Sequence, residues 1–355
     1  MEKQINNTIE RKFYITLLSV ISAFSVVFLH TNGQFWSFSK EYYWFLEGIN
    51  ECIFYFAVPI FFMISGITLF DYTKRYSTYE YFKRRISKTV IPFIFWSIFG
   101  LFFHSYIIND LEISNVNFWS ALDGILNTKY VEIYWFFIVL FKIYILIPLF
   151  ANLKECVKNK LLIFLLLVML ITNSILPFFI DVYCLSIPIP QTFVVGDKLI
   201  IYCIIGYLAD VYYESFLKNR KVFIIFTILG IVAFCCHLLG TYFLSLEANE
   251  IVTRFKGYAN LLCIVYSFWI YLLVRRIELK LKSNIKIKNA IEYLSKYVFA
   301  IYLLHIFVLK YIIDVFKLDM NASITRWGLP FVVIPICMLI IYVLRKNKLL
   351  AKIVP

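Results

Sequence analysis

Apolar residues dominate ten stretches of the chain, at roughly 13–31, 51–72, 91–109, 134–152, 161–180, 198–213, 222–246, 257–276, 297–316 and 328–345. Most approach the ~20 residues that a helix rising ~1.5 Å per residue needs to cross ~30 Å of hydrocarbon. Inside lipid, every backbone N–H and C=O has to be satisfied within the segment, which selects helices over open strands. The pattern therefore predicts an all-α, polytopic bundle of about ten transmembrane helices. Polar segments between the stretches are short, and no Gly-, Ser- or Pro-rich linker or clear repeat divides residues 1–355, which read as one integral-membrane domain.

Lys and Arg fall on alternate connections. The N-terminus carries three, the loops near 73–89, 153–160, 214–221 and 275–296 carry six, three, three and seven, and the tail carries four. That side holds 26 of the 35. The opposite side holds Lys40, Lys129, Lys198, Arg254, Lys256, Lys317 and Arg326, with Lys142 and Lys310 inside spans. The positive-inside rule then places both termini in the cytoplasm. With 62% hydrophobic and 16% charged residues, a water-soluble or disordered chain is excluded. The net charge of +13 sits on loops facing an anionic leaflet and comes with no nucleic-acid motif.

Arg11 and Lys12 precede span 1, but His30-Thr31-Asn32-Gly33 lacks a small-x-small exit, so the segment reads as a permanent anchor. The eight Cys include no CxxC or His-spaced pattern, and no metal site is expected. Five of them (Cys203, Cys235, Cys236, Cys263, Cys337) lie in spans, where packing is the default; Cys52 and Cys184 share the outer side and could pair. The outer segment 181–197 contains IPIP (187–190), suited to a cavity cap or to a plain surface loop.

Titratable side chains inside spans usually face a bundle interior or a wet cavity. Here they are His30, His104, Lys142, His237, His305, Lys310 and Asp314. Lys142 lies near the centre of span 4, where function and interhelical packing are both open. Lys310 and Asp314, four apart, can pair on one helix face. His237, beside Cys235 and Cys236, reads as core, and His305 in IYLLH (301–305) can bridge helices. At 100° per residue Ser19, Ser22, Val26 and His30 share a face, which leads small polar groups toward an imidazole.

Span 2 carries AVPIFFMISG (57–66), in which Pro59 favours a kink while Ser65 and Gly66 permit close helix approach. This string resembles a hallmark of the membrane acyltransferase-3 family, integral O-acyltransferases of cell-surface polysaccharides and related acceptors. Other parts match in the same order. SVVFLH (25–30) is similar to the family's "VVxxH", FKRRISKTVIPFIFW (82–96) to its basic loop and Pro-started helix, and YWFFIVLFKIYILIPLF (134–150) to its "WFL…Y…P" helix. IYLLH matches a late element, and GYLAD (206–210) is a weaker echo. The similarity covers roughly 13–310. The family usually places an Arg eleven residues before the span-1 His, where this chain has Ser19. A His that precedes the span-4 Trp in many relatives is missing from EIYWFF (132–137). Lys142 is a candidate replacement cation.

The resemblance implies transfer of an acetyl or similar acyl group from acetyl-CoA or another acyl-CoA to a hydroxyl of a surface glycan or its lipid-linked precursor. It also implies a multi-pass location in a bacterial cytoplasmic membrane, in contact with membrane lipid. Acyl transfer needs a base, an activated donor and oxyanion stabilisation. His30 is the expected catalytic base, with Ser19, Ser65, Lys142 and His305 as supporting candidates. Lys83, Arg84, Arg85 and Lys88 are the expected phosphate-binding cations, beyond their effect on topology. Cofactor phosphates and imidazole then lie at opposite ends of span 1, about 25 Å apart, so the thioester arm has to enter the bundle. A polysaccharide exporter and a catalytically inactive relative are the alternatives, the second because of Ser19.

Overall fold

In the computed structural model, which describes residues 12–183, 185 and 197–355, every regular element is helical. The first half of the chain forms α1 (Phe13–His30), α2 (Tyr42–Phe54), α3 (Ala57–Leu69), α4 (Thr78–Arg85), α5 (Ile91–Phe103), α6 (Phe118–Leu126), α7 (Trp135–Ala151), α8 (Glu155–Leu170) and α9 (Leu176–Val182). The second half forms α10 (Ile200–Val211), α11 (Arg220–Ala248), α12 (Leu261–Ser283), α13 (Ile285–Ser295), α14 (Val298–Phe316), α15 (Ser323–Gly328) and α16 (Pro330–Leu344). Among the described residues, eight helical stretches have the length and apolarity to cross a membrane. The two other expected positions also hold helices. Of these α10 has only 12 residues, and α12 carries Arg275, Arg276 and Glu278 behind its apolar part. The IPIP segment and Cys184, hence any Cys52–Cys184 pairing, lie outside the described residues.

α1 occupies the middle of the bundle. It is apolar all round but interleaves Ser19, Ser22, Ala23 and Ser25, so α2, α3, α12, α13, α14 and α16 all pack against it. Burial reaches 78% of this span against 17% of α11, whose residues mostly face outward. Both ends of α1 are pinned. At the basic end, Asp210 of α10 accepts from Lys12 Nζ at 2.8 Å, from the Tyr14 hydroxyl, and from Arg275 Nη1 at 3.1 Å.

Glycine sets the closest helix crossing. A Cβ at Gly66 would lie 1.9 Å from the Cys203 carbonyl oxygen, and one at Gly206 would lie 2.3 Å from that of Met63. The two motifs MISG and GYLAD thus meet face to face where α3 crosses α10, and only residues without side chains allow it.

Proline explains two further local features. Pro59 sits in the first turn of α3 rather than kinking a continuous helix. The break falls at Tyr55–Phe56, where its ring would clash with the carbonyl four residues back. Pro148 lies inside α7 and leaves the Tyr144 carbonyl without its helical donor. The buried Tyr81 hydroxyl supplies one at 3.1 Å, which ties α4 to α7. Beyond α16 the chain folds back beneath the basic end: Trp96 Nε1 donates to the Ile353 carbonyl at 2.8 Å, and Arg345 Nε to that of Val354 at 2.9 Å.

Candidate active site

At the basic end, α4 passes into α5 through a π-helical turn, Ile86–Val90. Such turns shift side-chain register within a continuous helix. Here Arg85, Lys88 and Thr89 all line a cavity of about 410 Å³, whose other walls include Ser19 of α1, Ser65 of α3, Phe136 and Tyr144 of α7, Phe299 of α14, and Pro355. The Arg85 guanidinium lies beside the Tyr81 and Tyr144 rings, and its buried Nε has no hydrogen-bond partner among the described residues. Ser19 Oγ donates to the Thr16 carbonyl at 2.8 Å, and Ser65 Oγ to the Phe61 carbonyl at 3.0 Å. Of the four expected phosphate-binding cations, Arg85 and Lys88 reach this cavity. Lys83 is exposed outside it, and Arg84 pairs with Glu80 at 2.9 Å. The sequence reading offered all four cations alike; the π-turn between Arg85 and Lys88 helps decide which of them reach the cavity.

His30 closes α1 at the far end, eleven residues or about 16 Å beyond Ser19. Between them, on the same face, Ser22 is fully buried and its hydroxyl has no partner among the described residues. His30 Nδ1 lies 2.9 Å from Nε2 of His305, the two ring planes being within 10° of parallel. His305 Nδ1 lies 3.0 Å from the Ile301 carbonyl oxygen on its own helix, α14. Tyr302 connects this pair to the cavity wall: its ring is 5.8 Å from His305 and 5.3 Å from Phe136. The arrangement thus has two poles, a cationic hollow and an imidazole pair, joined along α1.

Behind His30 stands a buried charged layer, two members of which, Lys256 and Arg326, the sequence reading placed on connections between spans. Arg326 of α15 is fully buried and binds Glu47 of α2 at 2.9 Å; Lys256 binds Glu51 at 2.7 Å with its ammonium 3.7 Å from the Tyr55 ring centre. These pairs fix the residues after His30. Thr31 Oγ1 donates to the Arg326 carbonyl at 3.0 Å, and Asn32 Nδ2 to the Glu47 carbonyl at 3.0 Å. The available signal was the Glu47–Glu51 spacing, two carboxylates on one face of a helix otherwise rich in apolar residues.

The remaining candidates are not brought to either pole. Lys142 is exposed on α7, 3.3 Å from Asp197, and does not line the cavity. The expected Lys310–Asp314 pair does not form. Lys310 Nζ instead lies 3.3 Å from His104 Nε2, while Asp314 binds Lys317 at 2.7 Å. A partner on another helix and a terminal Lys outcompete the i, i+4 contact. His237 is buried against the Tyr55 ring, centres 5.1 Å apart.

Comparison with curated proteins and with solved structures finds no significant match. Against protein families, residues 12–346 match the family described as an acyltransferase domain. That match takes in both poles and nearly all of the bundle between them, and the chain belongs to the membrane acyltransferase-3 family.

Proposed function

We propose that this membrane acyltransferase moves an acetyl or similar group from acyl-CoA, bound at the basic cytoplasmic end, to a hydroxyl of a cell-surface glycan or its lipid-linked precursor at the outer end. The family supports acyl transfer; the donor and acceptor classes are our reading. One observation carries it: a single face of α1 runs from the cavity holding Arg85, Lys88 and Ser19, past the unpartnered Ser22 hydroxyl, to His30. The cations suit phosphate, and Arg85 in particular retains a buried donor without a partner among the described residues. The localisation that fits is multi-pass in a bacterial cytoplasmic membrane.

In this mechanism His30 takes the proton from the acceptor hydroxyl as its oxygen forms a bond to the thioester carbon. The tetrahedral intermediate collapses with cleavage of the C–S bond, and the thiolate of CoA receives the same proton from the imidazole. No metal or redox partner enters the balance. Ser19 in place of the family's usual Arg leaves a small hydroxyl in the wall of the cavity, where Lys88 and Arg85 supply the positive charge.

Membranes containing the protein, supplied with acetyl-labelled acetyl-CoA, test the reading against glycan export. Label in a hydroxylamine-sensitive ester of the glycan is the expected result. Glycan crossing the membrane without label would overturn it in favour of transport.

A further inference from the structure

We infer that His305 is the positioning residue of the acyl-transfer site: it holds His30 in the tautomer whose Nε2 is free to accept a proton. The inference rests on the acyltransferase reading for its consequence, but its argument is geometric. A carbonyl oxygen can only accept, so the 3.0 Å contact with Ile301 puts the His305 proton on Nδ1. In the neutral ring Nε2 of His305 then carries a lone pair. Its 2.9 Å partner, His30 Nδ1, has to be the donor. The neutral His30 ring has one nitrogen left, Nε2, and it is unprotonated.

The same chain of bonds excludes the reverse assignment. His305 is fully buried and both of its nitrogens are engaged, so it has no atom with which to meet a hydroxyl or a thioester. His30 is only partly covered, and its Nε2 has no partner among the described residues. In a Ser-His-Asp arrangement a carboxylate fixes the imidazole in the same sense. Here a neutral imidazole anchored to a backbone carbonyl performs that role. It fixes the tautomer without placing a net charge among the apolar residues of α14, where an isolated carboxylate is costly. The near-parallel rings and the pinning of Thr31 and Asn32 behind His30 limit its rotation away from this bond.

The chain has four histidines, so 15N-histidine labelling of the full protein in lipid bilayers gives ring signals assignable by single substitutions. At neutral pH the wild type should show His30 protonated at Nδ1 and bare at Nε2, and His305 protonated at Nδ1. His305→Phe keeps a ring but removes the acceptor. It should release His30 into a mixture of tautomers and lower acetyl transfer by about 10²-fold. His305→Gln returns an acceptor oxygen near the Nε2 position and should restore the His30 tautomer and most of the rate. A wild-type His30 protonated at Nε2 overturns the inference, whether or not the Phe variant folds. So does an unchanged tautomer and rate in His305→Phe. The nitrogen spectrum needs neither donor nor acceptor, so loss of the broader reading, by undiminished transfer in His30→Ala, is distinguishable from loss of this one.

Discussion

Two histidines end helices toward the far face of this protein, and their surroundings differ sharply. His104, just after α5, has Asp110 at 2.9 Å on Nδ1 and Lys310 at 3.3 Å on Nε2, both of them exposed. Both ring nitrogens are spent on surface charges. His30, at the end of α1, has the fully buried His305 imidazole on Nδ1 and, among the described residues, no partner on Nε2. The first arrangement ties loop to helix; the second leaves a nitrogen for chemistry. A sequence reader sees the same residue at the same depth in both cases. What separates them is the partner each finds: Asp110, six residues on, and the distant Lys310 for His104, and His305, 275 residues away, for His30.

The largest contrast should come from removing each ring in turn. His30→Ala is expected to lower acetyl transfer by at least about 10³-fold, while His104→Ala leaves the initial rate within about twofold. Equal losses would erase the distinction between the two sites.

Next is the layer that holds His30 in place. Arg326→Met leaves Glu47 buried and uncompensated, a change that typically costs about 3–5 kcal/mol, and should lower the unfolding midpoint in detergent markedly. Lys317→Met removes an exposed ion pair with Asp314 and should shift the midpoint little.

At the basic pole, Arg85→Gln should raise the KM for acetyl-CoA by about tenfold or more, in line with loss of a charge-assisted hydrogen bond. Lys83→Gln, outside the cavity, should leave it unchanged. Parallel effects in both variants would mean that the loop acts through overall charge and not through the cavity. The smallest effect is expected for Lys142→Met, within about twofold in rate. A loss of activity there would restore Lys142 as the substitute for the family's missing Arg.

Much of this was legible from residue order because it depends on local periodicity. The span expected at 13–31 is the helix Phe13–His30. The shared face of Ser19, Ser22 and His30 follows from 3.6 residues per turn alone. Gly66 as a close-approach position also follows from composition, although its partner Gly206 does not. What stayed hidden are pairings across the bundle. Glu47 meets Arg326, 279 residues away, and His30 meets His305, 275 away. Hydropathy assigns depth to a helix but not the neighbour it turns toward. The same limit explains Lys142. Its position in the middle of an apolar run suggested an inward cation, whereas its helix turns that face outward toward Asp197.

The central claim is that a donor seated among Arg85 and Lys88 delivers its acyl group along α1 to an acceptor at the opposite end. Sealed membrane vesicles of known orientation, given impermeant labelled acetyl-CoA on one face at a time, address it directly. Labelled glycan should form only when the donor is on the face bearing the basic loops, with the ester appearing on the other face. Ester formation from donor on either side, or product confined to the donor's own side, would contradict the account.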